Sequence, residues 1–521
     1  MPTAVAVQES LEPATGRVLG TVRATAPEDV ARAVADARAV QPLWAQLRLA
    51  DRARYMNRAA QALIDEFAEL VELVCREQGR PRAEAELMEV LPAIETLRWL
   101  AEHGPRVLGD DRIGLSRTFF LRKRARVAHT PVGVIAVISS GAAPFAHPLG
   151  DVAIALFGGN GVVLKPAPTA ALCAERIGRA FARAGLPEGL LQIAQGGSAT
   201  GRALVAAPVD QVRLTGSAEV GREVGEACAR ALRPSTLSLA GRDAALVLAD
   251  APMERTVRGV AWGAFANAGQ SGGAIERAYV QREVHDRFLA RVVARARALK
   301  VGDPLAETTE VGPLTTEARA ERVRSLVEDA VARGARLHCG GPLEGSWFAP
   351  AVLTGVPDDA PLAREEVLGP VLIVAAVDDV DAAVAAANGT GFGLGASIWT
   401  EDRAHGLRIA RALQTGMVWI NDHQVSALAP QLPWGGVKDS GWGRMRGETA
   451  LLECVADKVV TWDPPTGQPL WWHPYDRSLV RTGEALAWMR SVRDRDRARA
   501  WRTSMPSVAR VASRALLRSR R

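Results

Sequence analysis

Two places in the chain set polar residues directly after an apolar run. Lys165 follows Val162–Leu164, and Gly216-Ser217 follows Val212–Leu214. The second pair opens a helix at Ala218-Glu219-Val220-Gly221, where the free N–H groups of a first turn and a hydroxyl can hold a phosphate. A GSxxVG turn also serves as a plain cap, so the turn alone does not decide. In a doubly wound sheet, ligands gather beyond the carboxyl ends of the strands, which makes these positions the ones to weigh. Metal and disulfide chemistry have no comparable basis: Cys75, Cys173, Cys228, Cys339 and Cys454 are scattered, without CxxC spacing or a histidine cluster.

The elements that must carry such residues are legible in the apolar pattern. The chain has 521 residues, 48% hydrophobic and 23% charged, enough for two or three packed domains. Thr25-Ala26-Pro27-Glu28 reads as a capping box ahead of Val30, Ala33, Val34 and Ala37 at helical spacing, and amphipathic helices continue to about Val107. The alternating run Thr118 to Val127 predicts an exposed strand or an arm lying on another subunit. Short apolar runs then alternate with helices: Val134–Ile138, Val162–Leu164, Leu190–Ile193 and Val212–Leu214. A second set runs from Leu246 to Ile420, with strands at Ala278–Val280, Val371–Val377, Ala396–Trp399 and Val418–Ile420. Strand, helix, strand at this spacing predicts an α/β fold with two parallel-sheet domains.

Three further stretches give the pattern a family. They are Asn267-Ala268-Gly269-Gln270-Ser271-Gly272-Gly273, Glu366-Val367-Leu368-Gly369-Pro370 and Pro433-Trp434-Gly435-Gly436-Val437-Lys438-Asp439-Ser440-Gly441. Together with Leu164-Lys165-Pro166, Leu214-Thr215-Gly216-Ser217 and Phe392-Gly393-Leu394, these residues make the chain resemble the aldehyde dehydrogenase superfamily from about Ala4 to Trp462. The resemblance implies a Rossmann-like cofactor domain (1–113 and 130–239), an α/β catalytic-type domain (240–440) and a small β oligomerisation arm (114–129 and 441–463), with 464–521 as a basic tail. It implies NAD or NADP as cofactor, with Lys165 on the adenosine ribose, Gly216, Ser217 and Val220 at the pyrophosphate, and Glu366 on the nicotinamide ribose. It also implies chemistry in which a cysteine attacks the aldehyde, an asparagine holds the oxyanion and a glutamate activates water.

At those three catalytic positions the chain departs from the family pattern. The nucleophile position holds Gly272, the base position Ser238 and the oxyanion position Ala142; Ser271 beside the first has no histidine or lysine in its motif to activate it. An oxyanion donor is worth ~10²–10³ in rate and a covalent nucleophile on the order of 10⁶, which sets the expectation of a pseudoenzyme for aldehyde oxidation. Pro168 and Leu368 also remove family contacts, so weakened or lost nucleotide binding is expected. The alternative is an active oxidoreductase with non-standard residues, for instance Cys228 or Cys339 if folding brings one to the site.

The formal charge of +6 is unevenly placed. From Asp476 onward there are 13 Arg against four acids, a formal +9, so the preceding residues sum to −3. Trp471-Trp472-His473-Pro474-Tyr475 adds interfacial aromatics, and Pro506 to Arg521 predicts a basic helix with Val508, Val511, Ala515 and Leu516 on one face. These features point to an anionic membrane surface as a partner, with an adaptor role as a further alternative; no folded recognition motif argues for nucleic acid. The expected assembly is a homo-oligomer, or a hetero-oligomer with an active relative. The N-terminal stretch lacks a basic lead into an apolar core, and the expected location is cytoplasmic, peripheral at the membrane if the tail binds it.

Overall fold

The computed structural model describes residues 7–116, 120, 122–463, 465, 469, 471–473 and 475–516. They divide into two compact units, one of residues 1–108 and 130–456, the other of 109–129 and 457–521.

The larger unit holds both predicted parallel sheets. In the first, the strands Ser235–Leu239, Gln211–Gly216, Val134–Ile138, Gly161–Lys165 and Leu191–Ile193 lie side by side, all parallel. Val134–Ile138 and Gly161–Lys165 are buried at every position, as strands covered by helices on both faces must be. Gly441–Trp442 adds a short antiparallel edge against Ser238 and Leu237. Its place is therefore in this sheet, not in a separate arm. The second sheet has seven strands ordered Arg336–Pro342, Phe348–Thr354, Val371–Val377, Ile275–Gln281, Asp243–Val247, Gly395–Trp399 and Met417–Ile420. All its pairings are parallel except that of Arg336–Pro342 with Phe348–Thr354.

Helix starts follow the sequence less closely than strands do. Residues Pro27–Asp29 form a single 3₁₀ turn, and the helix Val30–Ala45 begins after it with no side-chain cap. The Thr25 capping box is thus not formed. Packing against the first sheet explains why the helix forms without it: Val30, Val34 and Ala37 are fully buried, and burial outweighs a cap worth ~1 kcal/mol.

In the smaller unit, Asp111–Ile113, Arg124–Pro131 and Val455–Trp462 make a three-stranded sheet with Arg124–Pro131 in the middle. The strand starts at Arg124, later than the predicted Thr118; Thr118, Phe119 and Leu121 lie outside the described residues. The tail belongs to this unit. The helices Arg477–Trp488 and Asp494–Leu516 pack together through Ala485, Leu486, Ala500 and Val511, with the Asp476 carboxylate capping Leu479 N–H at 2.8 Å. The second helix runs through Pro506, where the sequence predicts a helix start. Asp494 and Asp496 in its first turn supply the favourable start instead. Of the predicted basic helix, Leu517 to Arg521 lie outside the described residues.

Candidate functional site

The carboxyl end of the first sheet opens onto a cavity of about 330 Å³. Its wall is built from loops that follow strands. Ser140 to Ala143 follow Val134–Ile138; Thr215, Gly216 and Ser217 end Gln211–Gly216; and Ser238, Leu239 and Ala240 close Ser235–Leu239. Opposite stand Gln270, Ser271 and Gly272, then Glu366, Leu368, Leu394 and Trp434. Ala142, Ser238, Gly272, Gly216, Ser217 and Glu366 therefore meet at one cavity, as the resemblance implies.

The 267–273 loop is held by its own side chains. Asn267 and Ala268 both adopt left-handed conformations, with φ of 53° and 51°, a pairing that L residues take only when neighbours enforce it. Here Asn267 N–H donates to Glu84 at 2.8 Å, Asn267 Nδ2 donates to Gln270 O at 3.0 Å, and Gln270 Oε1 accepts from Thr315 N–H at 2.8 Å. Gly269 has φ +67°, and a Cβ there would meet Gly369 O at 2.1 Å, so only glycine fits. Ser271 Oγ accepts from Gln424 Nε2 at 3.2 Å and from Gly273 N–H at 3.3 Å. Gln424 lies far from the motif in sequence, which is why the motif alone gives this hydroxyl no partner.

Gly272 is not forced by geometry. A Cβ built on it would meet Leu394 at 3.7 Å and Glu366 Oε1 at 3.9 Å, ordinary contact distances. The carboxyl of Glu366 thus faces the space beside residue 272. Burial, with Glu276 nearby, raises its pKa to about 8, against the opposing pull of Arg319 and a hydrogen bond from Gly241 N–H. His147 lines the same cavity, 5.8 Å from the Trp434 ring centroid. Burial, helped by Arg446 and Arg80, lowers its pKa to about 3, so the imidazole is neutral. His147 carries no family motif in sequence. Its only sequence signal is its place three residues after Pro144 in the first strand-end loop.

The nucleotide-side residues fit a dinucleotide. Ser217, which lines the cavity, caps the helix Ala218–Arg230 by accepting from Val220 N–H at 3.3 Å, while Val220 and Lys165 lie outside the cavity lining. Lys165 is 7% exposed. Among the described residues its amine has no hydrogen-bond or ion-pair partner, and burial pushes its pKa down, as for an amine lacking its anion or hydroxyl. Gly221 lets this helix approach the sheet: a Cβ there would lie 2.3 Å from Leu239 Cδ1. The cysteine alternative fails, because none of the five cysteines lines the cavity.

A parallel dinucleotide-type sheet, a second α/β sheet and a cavity between strand-end loops define an oxidoreductase architecture, and the chain belongs to the aldehyde dehydrogenase family, whose model matches residues 3–460. It is 36% identical over 465 residues to a betaine aldehyde dehydrogenase of Sinorhizobium fredii, covering 88% of this chain and 94% of that one. Among solved structures it resembles an aldehyde dehydrogenase of Mycobacterium tuberculosis complexed with NAD+ (33% identity, TM-score 0.84, 88% and 95% covered) and an NADP-dependent enzyme of E. coli (31%, 0.84, 88% and 95%). These findings overturn the reading of the chain as a silent pseudoenzyme or partner subunit. Relatives named for turning over an aldehyde match it along most of its length, and they favour an active oxidoreductase. Among the described residues, no helix is long and apolar enough to cross a membrane.

Proposed function

We propose that the chain is an NAD- or NADP-dependent aldehyde oxidoreductase that works through residues other than the family's usual set. The observation that carries the reading is the cavity itself, where Glu366 stands beside Gly272 and where His147, Ser271 and Ser238 line the same space. Lys165, Gly216, Ser217 and the first turn at Val220 hold the nucleotide, which when bound supplies a hydride acceptor; Glu366, which the resemblance places on the nicotinamide ribose, is assigned here to proton transfer instead. Gly272 offers no atom for covalent attack, so the substrate form that suits this wall is the hydrated aldehyde. A gem-diol needs only to lose a hydride from carbon and a proton from one hydroxyl to become a carboxylic acid. Glu366 takes that proton, its raised pKa near working pH being where a general base is most effective. Ser271 Oγ and the neutral His147 orient the two hydroxyls.

Aldehyde-dependent formation of NADH or NADPH by the purified protein tests this. Wild-type rates should rise with pH through about 8, and Glu366→Gln should lose that limb. An E366Q variant with an unchanged pH profile would remove Glu366 from the reaction; no turnover of any aldehyde, charged or neutral, would defeat the reading.

We further propose that the protein is a cytoplasmic homo-oligomer joined through Val455–Trp462, an edge strand whose residues are mostly exposed. A second surface reading rests on the tail. Trp471, Trp472, Trp488 and Trp501 are 45–60% exposed in the unit that carries the arginine excess, a composition suited to an anionic bilayer.

A further inference from the structure

The segment that carries Glu366 is tied to the sheets by two side chains that do not reach the cavity. Arg242 lies between the strands Ser235–Leu239 and Asp243–Val247, where the chain passes from the first sheet to the second, and Glu276 lies in Ile275–Gln281. They are 1% and 3% exposed, and neither lines the cavity. Arg242 Nε donates to Glu276 Oε2 at 2.8 Å. The rest of the guanidinium is directed at the short helix Pro361–Arg364, where Nη2 donates to Leu362 O at 3.0 Å and Nη1 donates to Ala363 O. Glu276 Oε1 accepts from Val367 N–H at 2.7 Å. One ion pair thus holds the backbone on both sides of Glu366, whose own carboxyl accepts from Gly241 N–H, next to Arg242 in the chain. Arg242 is fixed in turn, its carbonyl oxygen accepting from Arg277 Nη2 at 2.5 Å and Nε at 3.2 Å. Leu368, just beyond Val367, has φ of 49°, a left-handed conformation that a leucine keeps only where its neighbours enforce it.

Stability alone does not account for this arrangement, because the attraction within a buried ion pair is largely offset by desolvation. What the pair supplies, and an apolar pair cannot, is directed bonds to three backbone groups around one carboxyl. We infer that Arg242 and Glu276 are positioning residues for the proposed reaction: their ion pair fixes residues 362–367 so that the Glu366 carboxyl faces the space beside Gly272. Glu276 has a second effect. The charges that face Glu366 are Glu276, Arg242 and, from the helix Glu317–Ala332, Arg319; burial first and Glu276 second raise the Glu366 pKa to about 8, and both arginines oppose them. Placement and basicity of the carboxyl therefore depend on the same pair.

The inference rests on the reading of Glu366 as the general base, and the test separates the two. In full-length protein, the infrared carboxyl band that E366Q removes reports protonation of Glu366 whether or not an aldehyde turns over. Glu276→Gln takes a negative charge from beside Glu366, so that band should titrate about one pH unit lower, a tenfold change in proton affinity, and the rising limb of NADH or NADPH formation should move with it. Arg242→Met strips Leu362 O and Ala363 O of their donors and should lower kcat about 10²-fold with KM for the aldehyde little changed; Arg242→Lys should recover part of the loss. Because R242M leaves Glu276 buried and unpaired, the double variant R242M/E276Q is the control for folding. It removes both charges together and should unfold near the wild-type temperature. In it the opposing pulls of Arg242 and Glu276 on Glu366 disappear together, so the band should titrate close to its wild-type position while kcat stays low. Wild-type kcat in the double variant, or an unmoved band in E276Q, overturns the inference. The expected bands in a protein whose E366Q variant keeps wild-type rates would leave the hold on Glu366 standing and remove Glu366 as the base.

Discussion

Gly272 offers the most direct experiment on single residues. Since a Cβ there meets only ordinary contacts and the backbone is unstrained, Gly272→Cys should fold with a stability change within about 1 kcal/mol. It should also gain a thiol that aldehyde-mimicking alkylating reagents label. Steady turnover should gain little, because Ser238 still offers no carboxylate to deacylate a thioester. Mass spectrometry for the label and steady-state rates check the two halves; a large rise in turnover would show that Glu366 deacylates as well. The positions of this site are readable in sequence because each sits in a motif tied to a strand end. His147 and Gln424 are not, because their roles depend on segments that meet only in space: Gln424 reaches Ser271 across 153 residues.

At the scale of elements, Asp243 joins two parallel strands. It begins Asp243–Val247, and its Oδ1 accepts from Gly395 N–H at 2.9 Å at the start of Gly395–Trp399, while its Oδ2 is buried without a partner. Burial raises its pKa from 3.8 to about 8. The folded chain therefore holds this proton more tightly than the unfolded one. The stability it contributes is complete below about pH 4 and is lost as pH rises through about 8. Asp243→Asn keeps the acceptor without the charge, so its urea midpoint should fall less than that of wild type between about pH 5 and about pH 9. Parallel curves would place the titration elsewhere. Strands such as Val371–Val377 are predicted to the residue, because an unbroken apolar run stands between Pro370 and Asp378. Helix starts are less legible, since packing of Val30 and Val34 sets the first helix while Thr25 does not, and the last helix starts at Asp494, well before Pro506.

For the whole molecule, the division at residues 109–129 and 457–521 sets the expected effect of truncation. Removing 464–521 deletes both tail helices but none of the larger unit, so unfolding of that unit and nucleotide binding should persist. Full-length protein should co-sediment with vesicles containing phosphatidylserine at low ionic strength and be released near 1 M salt, where the Debye length is about 3 Å. The truncated chain should remain in the supernatant. Sedimentation of both, or of neither, would remove the tail as a lipid contact. Composition makes the charge asymmetry plain in sequence; that the two tail helices share a unit with Asp111–Ile113 and Val455–Trp462 is not, because a 3.6-residue period does not say which sheet a helix will join.

The cysteines have a consequence for how the protein tolerates oxidising conditions. Four of the five are buried and the fifth half-buried, and burial pushes every thiol upward, Cys75 to about 12 and Cys454 to about 11. A thiol so weakly ionised reacts slowly with peroxide or iodoacetamide, and none stands at the cavity. An oxidoreductase built in this way has no sulfur to lose at its centre. Peroxide and iodoacetamide at concentrations that silence thiolate enzymes should leave its turnover unchanged, and the same reagents should inactivate the Gly272→Cys variant by modifying the one sulfur then present at the site.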